Sequence, residues 1–505
     1  MKNKAKWIKI AIAVVVTLWF WLVPPGVYGL PTISTIEQRM VAIFVFAAIM
    51  WMTEAIPIWT TSVVIAVLML LTVSDSSFIL FRPGELRDLE ALLSEGPLTT
   101  ADSDRLADLQ AAYGTVVSYK EILSTFAEPT VMLFLGGFTL AIAATRTGLD
   151  TRLASAFLRP FGERSEVVML GFMVVTAVFS MFMSNTATAA MMLAILAPVL
   201  RALPADGKGR IALVLAIAFA ANIGGMGTPI GTPPNTIALK YLNDPHGLNM
   251  ELGFGQWMLY MVPLVIVMIF IVWIILVKCY PFTQKSIHLN LPKVKAGNET
   301  QKRIVYVTFA ITVLLWVLDK HTGLNSNVVA MIPVAVFCST GVIGREELKQ
   351  INWDVLWLMA GGFALGVGMQ KTGLAKDIVE TIPFETWHPL LMIIGAGVLC
   401  YVMSTFMSNT ATAALLIPIL STAAQGASTT LQPYGGQATV LIGIAIVASL
   451  AMALPISTPP NALAHATGNV KQSQMAKAGI VVGVIGMVIA YVMLLYLGSI
   501  GMFTS

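Results

Sequence analysis

The sequence predicts an all-α polytopic membrane protein with about 11 transmembrane helices and two re-entrant helical hairpins, arranged as inverted repeats. Three observations carry that expectation: apolar composition along the whole chain, an octapeptide that occurs twice, and two apolar stretches each broken mid-way by Ser-Asn-Thr. Of the 505 residues, 57% are hydrophobic and 11% charged, with mean hydropathy +0.81, against roughly 45–50% apolar and about 25% charged in a soluble domain. Apolar runs near the roughly 20 residues that span a bilayer recur from end to end, for example over 256–277 and 479–499. The lipid bilayer is therefore the first partner to expect, and a soluble domain on a single anchor is excluded.

Division at charged and Gly/Pro-rich breaks places spans near 9–27, 39–57, 59–74, 125–147, 210–241, 256–278, 304–319, 325–343, 353–370, 438–467 and 479–500. Lys2, Lys4, Lys6 and Lys9 before an apolar run resemble the start of a signal peptide, but Pro24-Pro25-Gly26 follows and no Ala-x-Ala site is evident. Residues 1–38 are thus expected to be an uncleaved transmembrane helix with a cytoplasmic N-terminus in the inner (cytoplasmic) membrane. The stretches 166–200 and 389–421 are assigned as hairpins because most of the 30 basic residues then fall on the inside; a full crossing by either weakens that bias. The first hairpin then opens to the cytoplasm and the second to the outside. Residues 279–303 form a cytoplasmic linker between a first repeat over 39–278 and a second over 304–505.

The insertion 75–124 is acidic and fits an exterior loop; Leu86, Leu89, Leu92 and Leu93, then Leu106, Leu109 and Tyr113, predict two short amphipathic helices. Basic residues form no aromatic-interleaved patch, so nucleic acid is not an expected partner. Cys279, Cys338 and Cys400 lack metal-ligand spacing and read as apolar thiols. Trp51, Trp59, Trp257, Trp353 and Trp387 lie near span ends and suggest interfacial belts. Glu54 and Asp319 occupy corresponding span ends, as interfacial groups or as proton relays, and His465 reads as a packing residue.

The two halves match in order. Leu135-Gly136-Gly137-Phe138 pairs with Ala360-Gly361-Gly362-Phe363, and Thr147-Gly148-Leu149 with Thr372-Gly373-Leu374. Met183-Ser-Asn-Thr-Ala-Thr-Ala-Ala190 recurs unchanged as Met407 to Ala414, and Thr232-Pro233-Pro234-Asn235 as Thr458-Pro459-Pro460-Asn461. The displacement stays at 224 to 226 residues throughout. Equivalent spans cross in opposite directions, which is the recurring design of secondary transporters with a central site exposed alternately to each side.

Function is expected at the interruptions. A helix broken in lipid frees N–H and C=O groups that cost several kcal/mol each unless satisfied. The second helix of each hairpin starts at Ser-Asn-Thr and directs its positive end at the site, which favours an anion. Uncovered carbonyls, there and at the two Pro-Pro breaks, suit Na⁺. Neither hairpin carries Lys or Arg within its apolar body. A dianion held at mid-membrane therefore needs countercharge, which co-bound cations supply. Ser180 and Ser404 precede the motif serine by one helical turn and are either cation ligands or helix-contact hydroxyls. Asn235 and Asn461 either cap the restarted helices or act as ligands. An enzyme is not expected: no His/Glu metal pair, Gly-x-Ser-x-Gly turn or Ser-Lys pair occurs in the spans.

The doubled Ser-Asn-Thr tips, the Thr-Pro-Pro-Asn loops and Thr53-Glu54-Ala55-Ile56-Pro57 together resemble the divalent anion/sodium symporter family. The likeness covers the chain after its first span, apart from 75–124. It implies a homodimer with a dimerising scaffold domain and an elevator-like transport domain, and Na⁺-coupled symport of C4-dicarboxylates such as succinate, malate and fumarate. A dicarboxylate exchanger, a citrate or sulfate carrier, and, outside this class, an anion channel are the alternatives. The resemblance also implies substrate contacts at Ser184, Asn185, Thr186, Ser408, Asn409, Thr410, Thr458 and Pro459. Its two Na⁺ sites fall on Ser180, Ser184, Asn185 and Gly231, and on Ser404, Ser408, Asn409 and Ser457; no organic cofactor is implied.

Overall fold

The structure, a computed structural model, describes the chain apart from residues 1, 82, 86–87, 89–98, 205–206, 246, 288–297, 382–385 and 504–505. Among the described residues it is helical, with only isolated β-bridges, and nine helices are long and apolar enough to cross a membrane. The main helices are α1 (Lys2–Leu22), α2 (Thr35–Thr53), α3 (Ile58–Thr72), α4 (Thr100–Tyr113), α5 (Pro129–Thr147), α6 (Leu149–Leu158), α7 (Ser165–Phe182), α8 (Asn185–Ala202), α9 (Lys208–Gly225) and α10 (Pro233–Leu242). They continue as α11 (Phe254–Cys279), α12 (Glu299–Val317), α13 (Met331–Ser339), α14 (Trp353–Thr372), α15 (Leu374–Thr381), α16 (Pro389–Phe406), α17 (Asn409–Gly426), α18 (Gly436–Leu450), α19 (Pro459–Ala466) and α20 (Gln472–Ser499).

Every expected span has a helical counterpart, and both Ser-Asn-Thr motifs fall at breaks, between α7 and α8 and between α16 and α17. The expected spans 210–241 and 438–467 are each two helices, α9 with α10 and α18 with α19, because Pro233-Pro234 and Pro459-Pro460 start a new helix where Pro is tolerated. In the insertion, α4 is present with Leu106 and Tyr113 buried, whereas Leu86, Leu89, Leu92 and Leu93 lie outside the described residues. Linker residues 288–297 do so as well.

The belt reading fails for part of the tryptophan set. Trp59, Trp353 and Trp387 are exposed, but Trp51 and Trp257 are fully buried and donate through Nε1 to Ile58 O (3.2 Å) and Met226 O (3.0 Å). An indole whose N–H finds a backbone acceptor inside the protein has no need of the headgroup layer. His465 is exposed, not packed, with Nδ1 2.9 Å from Val470 O. Asp319 is buried and accepts from Phe254 N (2.6 Å) at the start of α11, a capping role, while Glu54 is exposed.

The chain forms two compact units. One comprises Met1–Glu128, Asp354–His388 and Ala414–Thr430; within it α1 packs on α2, α2 on α3, and Gly361 of α14 meets Ser62 of α3. The other comprises Pro129–Trp353, Pro389–Ala413 and Leu431–Ser505, and it contains both Ser-Asn-Thr tips and both Pro-Pro breaks. Within this second unit the pairing is doubled: α7 packs on α9 and, in the later repeat, α16 packs on α18. It is also crossed, since α10 packs on α18 and α19 on α9, so each repeat's restarted helix lies against the other repeat's preceding helix.

Close approach makes the α7–α9 contact possible. A methyl group on Gly224 would run into the backbone of Ala177, and one on Gly479 of α20 into the backbone of Met452 and Ala453. Backbone cannot swing aside as a side-chain tip can. Gly224→Ala and Gly479→Ala are expected to destabilise by about 1–3 kcal/mol, the scale of overpacking. Gly395→Ala, where an added methyl meets nothing, should match the native protein. Thermal melting followed by fluorescence-detected size exclusion checks the ordering; equal melting temperatures for all three would refute it.

Candidate functional site

Each tip is built by a helix that must end and one that must begin. At the first, α7 stops at Phe182 and Met183 turns extended (φ −129, ψ 162), so Ser184 becomes the N-cap of α8 and its hydroxyl oxygen accepts from Ala187 N (3.2 Å). At the second, Ser408 accepts from Ala411 N at the same 3.2 Å as α17 begins. Capping satisfies one orphan donor, while the first N–H groups of each helix, at Asn185 and Thr186 and at Asn409 and Thr410, have no intrahelical acceptor. Thr186 is exposed and Thr410 half-buried. No ionisable side chain occurs in either octapeptide.

Behind each tip lies a cluster of oxygens. Ser180 is fully buried and its hydroxyl sits 2.7 Å from Ala221 O of α9; Ser404, equally buried, sits 3.0 Å from Ala448 O of α18. Each also touches the asparagine of its own tip, Ser180 Oγ to the Asn185 amide at 2.6 Å and Ser404 Oγ to Asn409 Oδ1 at 2.8 Å. One hydroxyl proton cannot serve two acceptors fully. The same end of the Asn185 amide lies 3.2 Å from Ala221 O and 3.0 Å from Gly231 O. With nitrogen turned inward, the amide's two protons are shared among these three oxygens. With its oxygen inward, four oxygens face one another, an arrangement that a cation would hold together.

Three of the four residues expected around the first cation, Ser180, Asn185 and Gly231, are thus brought together, with Ser184 beside them as the cap. In the second repeat Ser404 and Asn409 meet, but Ser457 turns its hydroxyl back to Leu454 O (2.6 Å). The backbone carbonyls of Ala221 and Ala448 were not predicted: a helix residue shows no free carbonyl in sequence, and only the packing of α7 on α9 and of α16 on α18 selects them. The second threonines of the octapeptides, Thr188 and Thr412, are fully buried and their hydroxyls have no hydrogen-bond partner among the described residues. Such a group costs about 1–3 kcal/mol.

The Pro-Pro breaks are held open by their asparagines. Asn235 Nδ2 donates to Gly225 O (2.9 Å) and Thr228 O (2.8 Å), and Asn461 Nδ2 to Met452 O (2.8 Å) and Leu454 O (3.1 Å). The amides of Asn235 and Asn461 therefore cover the carbonyls that unwinding exposes. Thr228 ties the first loop to the hairpin by donating to Met181 O. Pro459 opens α19, which packs on α8 and so joins the Thr458-Pro459 turn to the first tip.

Asn222 is the residue that sequence reasoning missed. It lies on α9 and its Nδ2 reaches the other repeat, donating to Thr458 Oγ1 (3.1 Å) and Asn461 Oδ1 (3.2 Å), while its own Oδ1 is buried without a partner among the described residues. The available signal was positional: Asn222 and Ser449 follow Ala221 and Ala448 and interrupt two otherwise apolar runs.

Two repeats, each with a helix broken at a neutral, oxygen-lined tip, define an integral-membrane secondary transporter. The chain belongs to the divalent anion/sodium symporters: the family model described as Citrate transporter (CitMHS) matches residues 48–435. It is 33% identical over 418 residues to an uncharacterized transporter of Haemophilus influenzae, spanning 79% of this chain and 87% of that protein. It is 32% identical over 420 residues to the sodium-dependent dicarboxylate transporter SdcS of Staphylococcus saprophyticus, spanning 76% and 79%. The SdcS of Staphylococcus aureus is 32% identical over 427 residues, spanning 76% and 80%. Among solved structures, the YdaH transporter of Alcanivorax borkumensis shares the fold, with TM-score 0.52 and 14% identity over 88% of this chain and 99% of that one.

Removing a cap separates the structural share of the tip serines. Ser184→Ala and Ser408→Ala are each expected to lower stability by about 1 kcal/mol, and the glycine variants by only a few tenths. Melting in detergent measures the difference; alanine variants as stable as the glycine ones would exclude the capping role.

Proposed function

We propose that this transporter carries C4-dicarboxylates such as succinate, malate and fumarate into the cell by Na⁺ symport. In this reading Ser184, Asn185, Thr186, Ser408, Asn409, Thr410, Thr458 and Pro459 contact the anion. One Na⁺ lies among Ser180, Ser184, Asn185 and Gly231, and a second among Ser404, Ser408, Asn409 and Ser457. The carbonyls of Ala221 and Ala448 join these sets as further ligands. One observation carries the reading: both tips present amide and hydroxyl groups under a positive helix end, with oxygens behind them and no Lys or Arg. Helix ends alone carry about half a charge each. Two cations beside them would offset a dianion at mid-membrane.

The sodium-dependent dicarboxylate transporters among the relatives support both the cargo and the coupling ion. The matching family model, described as Citrate transporter, makes citrate the second candidate. Crossed packing within the second unit, which binds tips and breaks into one body, supports movement of the site as a whole, as in an elevator. The protein is read as a homodimer in the cytoplasmic membrane, N-terminus inside.

Reconstituted in proteoliposomes, the protein should accumulate labelled succinate under an inward Na⁺ gradient, with malate and fumarate competing more strongly than citrate or sulfate. Asn185→Ala and Asn409→Ala should each reduce uptake at least tenfold, because each removes an amide shared by anion and cation. Uptake that persists when choline replaces Na⁺ would falsify the symport; native rates in both variants would remove the site.

A further inference from the structure

The hydrogen bonds around the second Pro-Pro break have only one possible direction. Met452 O and Leu454 O are backbone carbonyls that only accept, so the Asn461 amide must turn its nitrogen to them and its Oδ1 away. Oδ1 then faces Asn222, which must present its own nitrogen (3.2 Å). The second proton on that nitrogen points at Thr458 Oγ1 (3.1 Å), which also accepts from Asn461 N (3.3 Å). With both lone pairs engaged, the buried Thr458 hydroxyl keeps only its proton to offer. That proton has no acceptor within this set of groups.

The first repeat lacks this relay. Asn235 makes the equivalent bonds to Gly225 O and Thr228 O, but its Oδ1 is buried without a partner among the described residues. Ser449 stands where Asn222 does, and its shorter side chain turns back to Ala445 O (3.3 Å). Thr232, the counterpart of Thr458, makes no side-chain cap bond. A plain packing role for Asn222 is disfavoured by its own Oδ1, which is buried unsatisfied at the expense of stability.

We infer that Asn222 is a positioning residue for anion recognition: it fixes the Thr458 hydroxyl as a donor and so makes the two halves of the site unequal. The inference rests on the proposed anion site. It implies that one carboxylate of the cargo is gripped by a donor of fixed direction at the second repeat's break, whereas the Thr232 hydroxyl in the first is not fixed in this way. Cargo with two different ends then binds in one preferred orientation.

A double-mutant cycle in proteoliposomes tests this, using labelled succinate and an Na⁺ gradient. Asn222→Ser, which installs the residue of the other repeat, should raise KM for succinate about tenfold, the scale of one charge-assisted hydrogen bond, with maximal rate within twofold. Thr458→Val should raise KM at least as much, and Asn222→Ser/Thr458→Val should match Thr458→Val alone. Asn222→His keeps an N–H near the position of Nδ2 and should restore near-native KM. Asn222→Ala is read in the same way if the serine variant does not yield folded protein. Additive effects in the cycle, or an unchanged KM with only a lower melting temperature, overturn the inference and leave the transport reading standing. A native protein that moves no succinate, malate, citrate or sulfate under the Na⁺ gradient overturns both.

Discussion

The constraint on which the rest depends is that backbone polar groups at membrane depth must be satisfied. Four helices are interrupted in the second unit, and each interruption is closed by side chains, which accept at the tips and donate at the Pro-Pro breaks. Ser184 and Ser408 cap the tips, Asn235 and Asn461 cover the unwound carbonyls, and the Trp257 indole covers Met226 O. Irregular backbone is tolerated in a membrane only when it is buried in protein or lines a cavity. Most of the repeated polar chemistry of the two motifs is therefore scaffolding, and these bonds leave over the free helix N-termini, the Asn185 cluster, and the hydroxyls of Thr188 and Thr412.

Crossed packing gives that surface its rigidity. Because α19 lies on α9 and α10 on α18, each repeat's restarted helix is packed against the other repeat. The helix that begins at the first tip, α8, is likewise braced by α19 of the other repeat. Close backbone approach at Gly224 serves the same end, since it lets Ser180, one turn along α7 from Ala177, reach Ala221 on α9.

The neutrality of the site has an electrostatic consequence. An arginine clamp would bind a dicarboxylate tightly in either facing state and would carry a fixed charge through the membrane. In the proposed symport, a site of amides, hydroxyls and helix ends gains its countercharge only when cations arrive, which links anion affinity to cation occupancy. The unequal surroundings of Thr458 and Thr232 show that two-fold repetition of the backbone need not give equal side-chain environments.

Much of this was legible in the sequence. Composition set the class, the doubled octapeptide located the breaks, and the absence of basic residues pointed to cation coupling, because each depends on residue type and spacing along one chain. Ser180 and Ser404 were legible too, being one helical turn from the motif. Tertiary structure decided what depends on neighbours distant in sequence: that Ala221 and Ala448 supply carbonyls, that Trp51 and Trp257 are buried, that Ser457 turns to its own loop, and that Asn222 reaches across 236 residues to Thr458. A hydroxyl or amide carries no mark in sequence of whether it donates or accepts; only its partners, assembled by packing, assign that role.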